Sequence, residues 1–293
     1  MKVAIIGGSG NMGKWFARHL LAEGHQVTIT GRDPRKLKRA GKELGVPVAA
    51  NTAAVKNAGI VILSVPPAVF EPVVKEIAPF VKKDQIIVDV TSVKTMPIDI
   101  MHKYLKKDSI LGTHPVFGPG ARSLAGHNFV LTPTNEKEAA LAERVKKYLE
   151  DRKASVALMT PAEHDEMMTV VLALAHFIAI VAGDTLLGYG KLAAMRRVGG
   201  TTFKLLYTLA ESVISEDPQL YASLQMSFPD AAKVEGKFIN NARQWAEMVK
   251  EKDAAGFAAR MSSIKDKLQV IDPSFRHAYE KMYRINEVLK PRE

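Results

Sequence analysis

Two residues of this chain stand where proton chemistry is expected. Ser92 follows an apolar run at 86–90, and His114 follows another at 110–113. A neutral imidazole there can take the proton of a substrate hydroxyl while a hydride leaves the same carbon. Hydride transfer needs a dinucleotide, and Gly8-x-Gly10-x-x-Gly13 is spaced to hold one. Gly8 would allow the tight turn, Gly10 the approach of a pyrophosphate, and Gly13 close packing of helix on strand. Ser9, Asn11 and Met12 complete the turn, whose helix start offers N–H groups to an anion. The bland reading of His114 is a loop histidine capping backbone groups. Its place between a strand end and Pro115-Val116-Phe117-Gly118-Pro119 lifts it above that.

Other chemistries find less support. There is no cysteine, which excludes thiol catalysis and a disulfide scaffold. No nucleophile-elbow motif and no metal-ligand spacing occur. His164 and Asp165 are adjacent, but no third partner is spaced to complete a metal site. His176 lies within an apolar helical run, where a satisfied core histidine is the commoner outcome, so the residues alone do not select it.

The elements that must carry these residues follow from the apolar pattern. Residues 3–6 form a buried strand before the glycine turn. Met12, Trp15, Phe16 and Leu20 then recur at helical spacing, and Gly24 can end that helix. Residues 26–30 form a second strand ending in Thr30-Gly31-Arg32-Asp33, where a Rossmann fold usually places an acid on the adenosine ribose. Arg32 stands there instead, so Gly31 and Arg32 read as an NADP phosphate site, while the adjacent Asp33 keeps NAD possible. A basic helix spans 34–44, and short strands are expected at 47–50, 60–64, 86–90, 110–113, 129–132 and 155–159, with a charged helix at 136–150. Ser64, Val65 and Pro66 break the strand at 60–64 at a carboxyl end of the sheet, and Thr91 follows the next strand end; both are expected cofactor contacts. Alternating strands and helices predict a parallel doubly wound sheet with right-handed crossovers.

The pattern changes near residue 161. One long apolar helix spans 162–190. Phe238, Ala242, Trp245 and Val249 fall at helical spacing, as do Phe257, Met261, Ile264, Leu268 and Ile271, and then Met282, Ile285 and Leu289. The expected fold is therefore α/β: a Rossmann-type dinucleotide domain over 1–160 and an all-helical domain over 161–293. The helix at 162–190 is apolar on every face, so it should be buried all round, which points to a homodimer core.

The 293 residues, 47% of them hydrophobic, suffice for a globular core. The formal charge of +10 comes from basic residues scattered among acids. That suits a solvated surface and a field that attracts an anionic cofactor and a carboxylate substrate; it does not make a nucleic-acid stripe. The apolar run at 167–182 is shorter than a usual membrane span and reads as a buried helix. The N-terminal apolar run is too short for a signal peptide, and the composition fits the cytoplasm.

Four segments carry a resemblance to a known family. They are residues 7–13; Thr91-Ser92-Val93-Lys94; His114 to Pro119 with Ser123-Leu124-Ala125; and Glu163-His164-Asp165 leading to Ala173-Leu174-Ala175-His176. Asp217-Pro218-Gln219-Leu220-Tyr221-Ala222 adds a fifth. Together they resemble the prephenate dehydrogenases of tyrosine biosynthesis, over nearly the whole chain. The resemblance implies NAD- or NADP-dependent oxidation of the ring carbinol of prephenate, with loss of the ring carboxylate to give hydroxyphenylpyruvate. It implies that His114 is the catalytic histidine, that Ser92 helps hold the hydroxyl and the histidine, and that His176 lies in the substrate pocket. It also implies a dimer through the helical domain.

One departure bears on the substrate. Where the family commonly has a carboxylate-binding arginine, Ser212 stands beside Glu211, and a second arginine position is Lys204 after Phe203. Either Lys204, Arg122 or Arg196 takes the carboxylate, or the substrate differs. Arogenate, another acid, and a non-catalytic dinucleotide-sensing protein are the alternative readings.

Overall fold

The computed structural model describes residues 1–105 and 109–288. Leu289, expected in the last helical stripe, lies outside them. By contacts the chain forms two compact units. One is Met1–Met168 with Ala222–Phe228; the other is Thr169–Tyr221 with the chain from Pro229 onward.

The first unit opens with β1 (Lys2–Ile6), α1 (Asn11–Ala22), β2 (Gln26–Ile29), α2 (Pro34–Leu44) and α3 (Asn51–Asn57). β3 (Ile60–Leu63), α4 (Phe70–Ile77), β4 (Ile86–Asp89), α5 (Thr95–Leu105) and β5 (Ile110–Pro115) follow. β6 (Asn128–Thr132), α6 (Glu136–Glu150), β7 (Ser155–Leu158) and α7 (Pro161–Met168) complete it. The strands make one sheet of seven, ordered β2-β1-β3-β4-β5-β6-β7. Alternation along β1 shows why it is apolar throughout. Val3 and Ile5 join one core with Trp15 and Phe16 of α1, whereas Ala4 and Ile6 join the other with Phe70, Val74 and Ile77 of α4. Both faces of the sheet are covered, as parallel strands require.

Three details differ from the sequence reading. β6 runs antiparallel to β5, with His114 opposite Val130, and β7 runs parallel to β6. No helix intervenes between β5 and β6, and without a crossover the chain must return antiparallel. The strand expected at 47–50 shrinks to one bridge between Ile29 and Val48, since Pro47 has no N–H to donate. β5 also extends past 113, so that His114 is a strand residue rather than a loop residue.

In the second unit a π-helical turn, Thr169–Leu174, leads into α8 (Ala175–Gly188). α9 (Leu192–Val198), α10 (Thr201–Ile214), α11 (Pro218–Ser227, whose latter part belongs to the first unit), α12 (Ala231–Lys250), α13 (Ala254–Ile271) and α14 (Ala278–Val288) follow. α8 packs on α10, where Gly183 is essential: a Cβ there would fall 2.3 Å from Ile214 Cδ1. The π turn packs on α12. The long helix is not buried all round within one chain. Only 17% of its most apolar window is covered, and Val170, Val171, Val181 and Leu187 are exposed. Met261, Ile264 and Ile271 of α13 are exposed as well.

Candidate active site

The glycine turn lies at the switch point of the sheet, where β2 and β3 flank β1 on opposite sides. Ligands bind at such points, outside the carboxyl ends of the strands. The left-handed residue is Gly7 (φ +83°), one position before the glycine expected to make the turn. A Cβ on Gly7 would fall 2.2 Å from the Ser64 carbonyl oxygen, so the turn is pressed against the end of β3 and its Ser64-Val65-Pro66 break. A Cβ on Gly13 would fall 2.5 Å from the Gly7 carbonyl oxygen, which is the close helix packing expected of it. Gly31 is similarly tight against Ser9 Oγ, at 2.3 Å for a Cβ. The fold thus brings residues 7–13, Gly31 and Ser64 to one place. The α1 N-cap is Gly10, which offers no side-chain acceptor to the helix start. Arg32 is exposed beside this turn. Asp33 is occupied differently: its carboxylate caps α2, accepting from the N–H of Arg35 (2.8 Å) and Lys36 (3.1 Å).

Three strands along, the carboxyl ends of β4 and β5 hold a buried polar chain. The register Asp89 to Gly112 sets the 90–94 turn beside His114. Thr91 is spent within that turn, its N–H donating to Asp89 (2.8 Å) and its hydroxyl to the Val93 carbonyl (2.8 Å). Its side chain is therefore a turn-former rather than a cofactor contact. Ser92 is half-buried in the same turn. Lys94 is fully buried; its ammonium donates to the Asp89 carboxylate and to the Thr113 carbonyl (2.6 Å). Burial pulls both ends of that pair toward neutrality, raising Asp89 and lowering Lys94, and their mutual attraction opposes it.

His114, only 3% exposed, has its Nδ1 2.9 Å from His164 Nε2. His164 Nδ1 lies 2.8 Å from the Asp165 carboxylate. Asp165 in turn accepts from the backbone N–H of Lys94 (2.7 Å) and Thr95 (2.9 Å), at the start of α5. Burial holds His114 well below the usual histidine range, and His164 and Lys94 push the same way against Asp165. Burial also lowers His164. Burial alone would raise Asp165, but the hydrogen bonds from His164 and from the start of α5 keep it low. His164, Asp165, Lys94 and Asp89 are the residues that sequence reasoning missed. The adjacent His164-Asp165 pair was a signal for a metal site with no third ligand; its third member is an imidazole on a distant strand.

The remaining expected residues are spread out. Arg122 is exposed in the loop after β5, which is anchored by Trp15 Nε1–H donating to the Ala121 carbonyl (2.6 Å) and by buried Leu124. In the helical unit His176 stacks edge-on against Tyr221, with centroids 4.9 Å apart, and its Nδ1 is buried with no hydrogen-bond partner. Lys204 is exposed on α10, and the Arg196 guanidinium sits over the Tyr207 ring at 5.6 Å. Ser212 is bound to its own helix, donating to the Leu209 carbonyl (2.8 Å).

Comparison with known proteins decides the family. Residues 16–158 match the family model for the prephenate dehydrogenase nucleotide-binding domain, and residues 160–263 match that for the prephenate dehydrogenase dimerization domain. The chain belongs to the prephenate dehydrogenase family. A probable arogenate/prephenate dehydrogenase of Methanocaldococcus jannaschii is 36% identical over 265 residues, covering 89% of this chain and 59% of that protein. The T-protein of Enterobacter agglomerans is 28% identical, covering 90% of this chain and 66% of that protein. This family member therefore spans about three-fifths to two-thirds of the length of those relatives. A crystal structure of prephenate dehydrogenase from A. aeolicus in complex with hydroxyphenyl propionate and NAD+ superposes with a TM-score of 0.74. It is 24% identical, covers 93% of this chain and 98% of its own, and establishes the family fold.

Proposed function

We propose that this chain is a nicotinamide-dependent dehydrogenase that oxidises and decarboxylates prephenate or its amino analogue arogenate. The observation that carries the reading is His114, buried at the carboxyl end of a Rossmann sheet and hydrogen-bonded through one ring nitrogen. The dinucleotide domain is taken as 1–160 and the helical domain as 161–293. The glycine turn fits a dinucleotide: it has no side chains to obstruct an approach, and its helix start lacks a side-chain cap. Gly8 to Gly13 would hold the pyrophosphate, and Ser64 to Pro66 would border it. When bound, the dinucleotide accepts the hydride. The chain's own task is the proton. His114 takes it from the ring hydroxyl as the carbinol becomes a carbonyl, with Ser92 orienting the pair. The bond to the ring carboxylate then breaks, carbon dioxide leaves, and its electron pair makes the ring aromatic. The proton on His114 can return to the ring oxygen, so the base is regenerated. His176, with an orphaned ring nitrogen, fits a substrate contact; Arg122, Lys204 and Arg196 are the candidate carboxylate partners. The test is nicotinamide reduction with both acids and both cofactors. No reduction with either acid would leave only dinucleotide binding.

The pH dependence follows from burial. His114 must be neutral to accept a proton, and its pKa lies well below the ordinary histidine value of 6.5. The active form is lost only as pH falls through that depressed value. We expect kcat to stay level from pH ~8 to below pH ~6, beyond where a solvated histidine would lose activity. A half-point near 6.5 in kcat would contradict it.

NADP is the preferred cofactor in this reading, because Arg32 is exposed at the turn while Asp33 is engaged as a helix cap. A guanidinium–phosphate contact is worth on the order of 1.5–3 kcal/mol. Arg32→Ala should weaken NADP roughly tenfold or more and leave NAD nearly unchanged. Equal losses for both would show that Arg32 does not read the phosphate.

The homodimer is part of the same reading. Pro161–Gly188 is long and apolar enough to cross a membrane by length and composition. The dimerization-domain match favours a second copy as the cover of its open faces. Light scattering should give about twice the 32.1 kDa chain mass. A dilute, well-folded monomer would sink it.

A further inference from the structure

We infer that His164 and Asp165 are positioning residues that hold the His114 imidazole with its proton on Nδ1 and its Nε2 bare. The inference rests on the proposed role of His114 as the base and assigns which of its two nitrogens does the work.

The direction of each hydrogen bond can be read from the fixed end. Asp165 receives two backbone N–H groups, from Lys94 and Thr95, and a backbone amide can only donate. The ionised carboxylate is therefore an acceptor throughout. His164 Nδ1, at 2.8 Å, must donate to it. A neutral imidazole has one proton, so His164 Nε2 is left as an acceptor. His114 Nδ1, at 2.9 Å, must then donate to His164, which leaves the lone pair of His114 on Nε2. His164 is fully buried and His114 is 3% exposed, so water does not compete for these positions.

The alternative arrangement is a charged His164. It would donate from both nitrogens, turn His114 Nδ1 into an acceptor and put the His114 proton on Nε2, where it blocks the base. The groups facing His114 are His164 and Asp165 from α7, Lys94 from the turn after β4, and Asp89 at the end of β4. The buried Lys94 amine disfavours a further cation beside it, and Asp165 favours one. One added proton thus reverses the whole chain, and the low-pH loss of activity belongs to the pair of histidines rather than to His114 alone.

Long-range nitrogen–proton NMR on the full chain reads the tautomer without any turnover, and the His114 signals are assigned by their loss in His114→Asn. The wild type should carry its proton on Nδ1 at neutral pH. His164→Leu removes the acceptor; His114 should lose that preference and kcat should fall by about 10²-fold or more, with little change in KM or cofactor affinity. His164→Gln places a carbonyl acceptor near the same position and should restore kcat to within about tenfold of wild type. A structural role alone would give no Gln rescue and no tautomer change. Wild-type His114 protonated on Nε2 overturns the inference, whatever the variants do. So does a folded His164→Leu with wild-type kcat. A wild type that turns over neither acid defeats the functional reading, and the NMR result still decides the tautomer.

Discussion

His114→Asn should abolish most turnover while leaving fold and dinucleotide affinity intact. The asparagine amide overlays the Nδ1 edge of the imidazole, so it can still donate to His164 and keep that buried nitrogen satisfied. What it lacks is the second ring nitrogen that accepts the substrate proton. General-base assistance of this kind is typically worth ~10²–10⁴-fold in rate, and the loss should fall in that range and appear in kcat. Cofactor affinity, measured by fluorescence titration, should stay within about twofold, because the glycine turn lies three strands away in the sheet. Near-wild-type turnover by a folded His114→Asn would return His114 to a structural role.

The largest stability effect is expected at Lys94. Its ammonium is fully buried and shared between the Asp89 carboxylate and the Thr113 carbonyl. Lys94→Met removes one partner of a buried pair and leaves the other uncompensated, which costs roughly 3–5 kcal/mol. Asp89→Asn keeps the acceptor for the Thr91 N–H and removes the charge. The double variant Asp89→Asn/Lys94→Met should therefore recover much of the loss. Urea denaturation of the wild type, the single variants and the double variant measures this directly. A Lys94→Met midpoint equal to wild type would mean that the pair is not holding the β4–β5 edge.

Much of the first unit was legible. Each central strand is a short run apolar on both faces, such as 3–6 and 60–63, bounded by glycine or proline, and nothing else suits such runs. The glycine spacing located the cofactor turn because the close approaches at Gly7 and Gly13 leave no room for a side chain. Strand direction was less accessible, because side-chain alternation is the same either way. The clue at β6 was the loop from Val116 to His127, rich in glycine and proline with no helical period, which cannot form the usual crossover. The His114–His164–Asp165 chain was hidden for a different reason. Its members are 50 residues apart, and only the return of α7 to the edge of the sheet brings them together. The openness of 161–188 was invisible too: an apolar sequence reports that a face will be covered, not whether its own chain covers it.

The π turn at Thr169–Leu174 makes the helical unit sensitive to a change in chain length. The turn meets α12, and α8 just after it meets α10 through the close fit of Gly183 against Ala210 and Ile214. Deleting any one residue of the turn would restore an ordinary helix and rotate α8 by ~100° relative to the segment before it. Contact with α12 and contact with α10 could then not both be kept. Single-residue deletions here should be excluded from functional descendants even where every substitution at the same positions is mild. A deletion scan across 161–188 should show one intolerant window, centred on the turn.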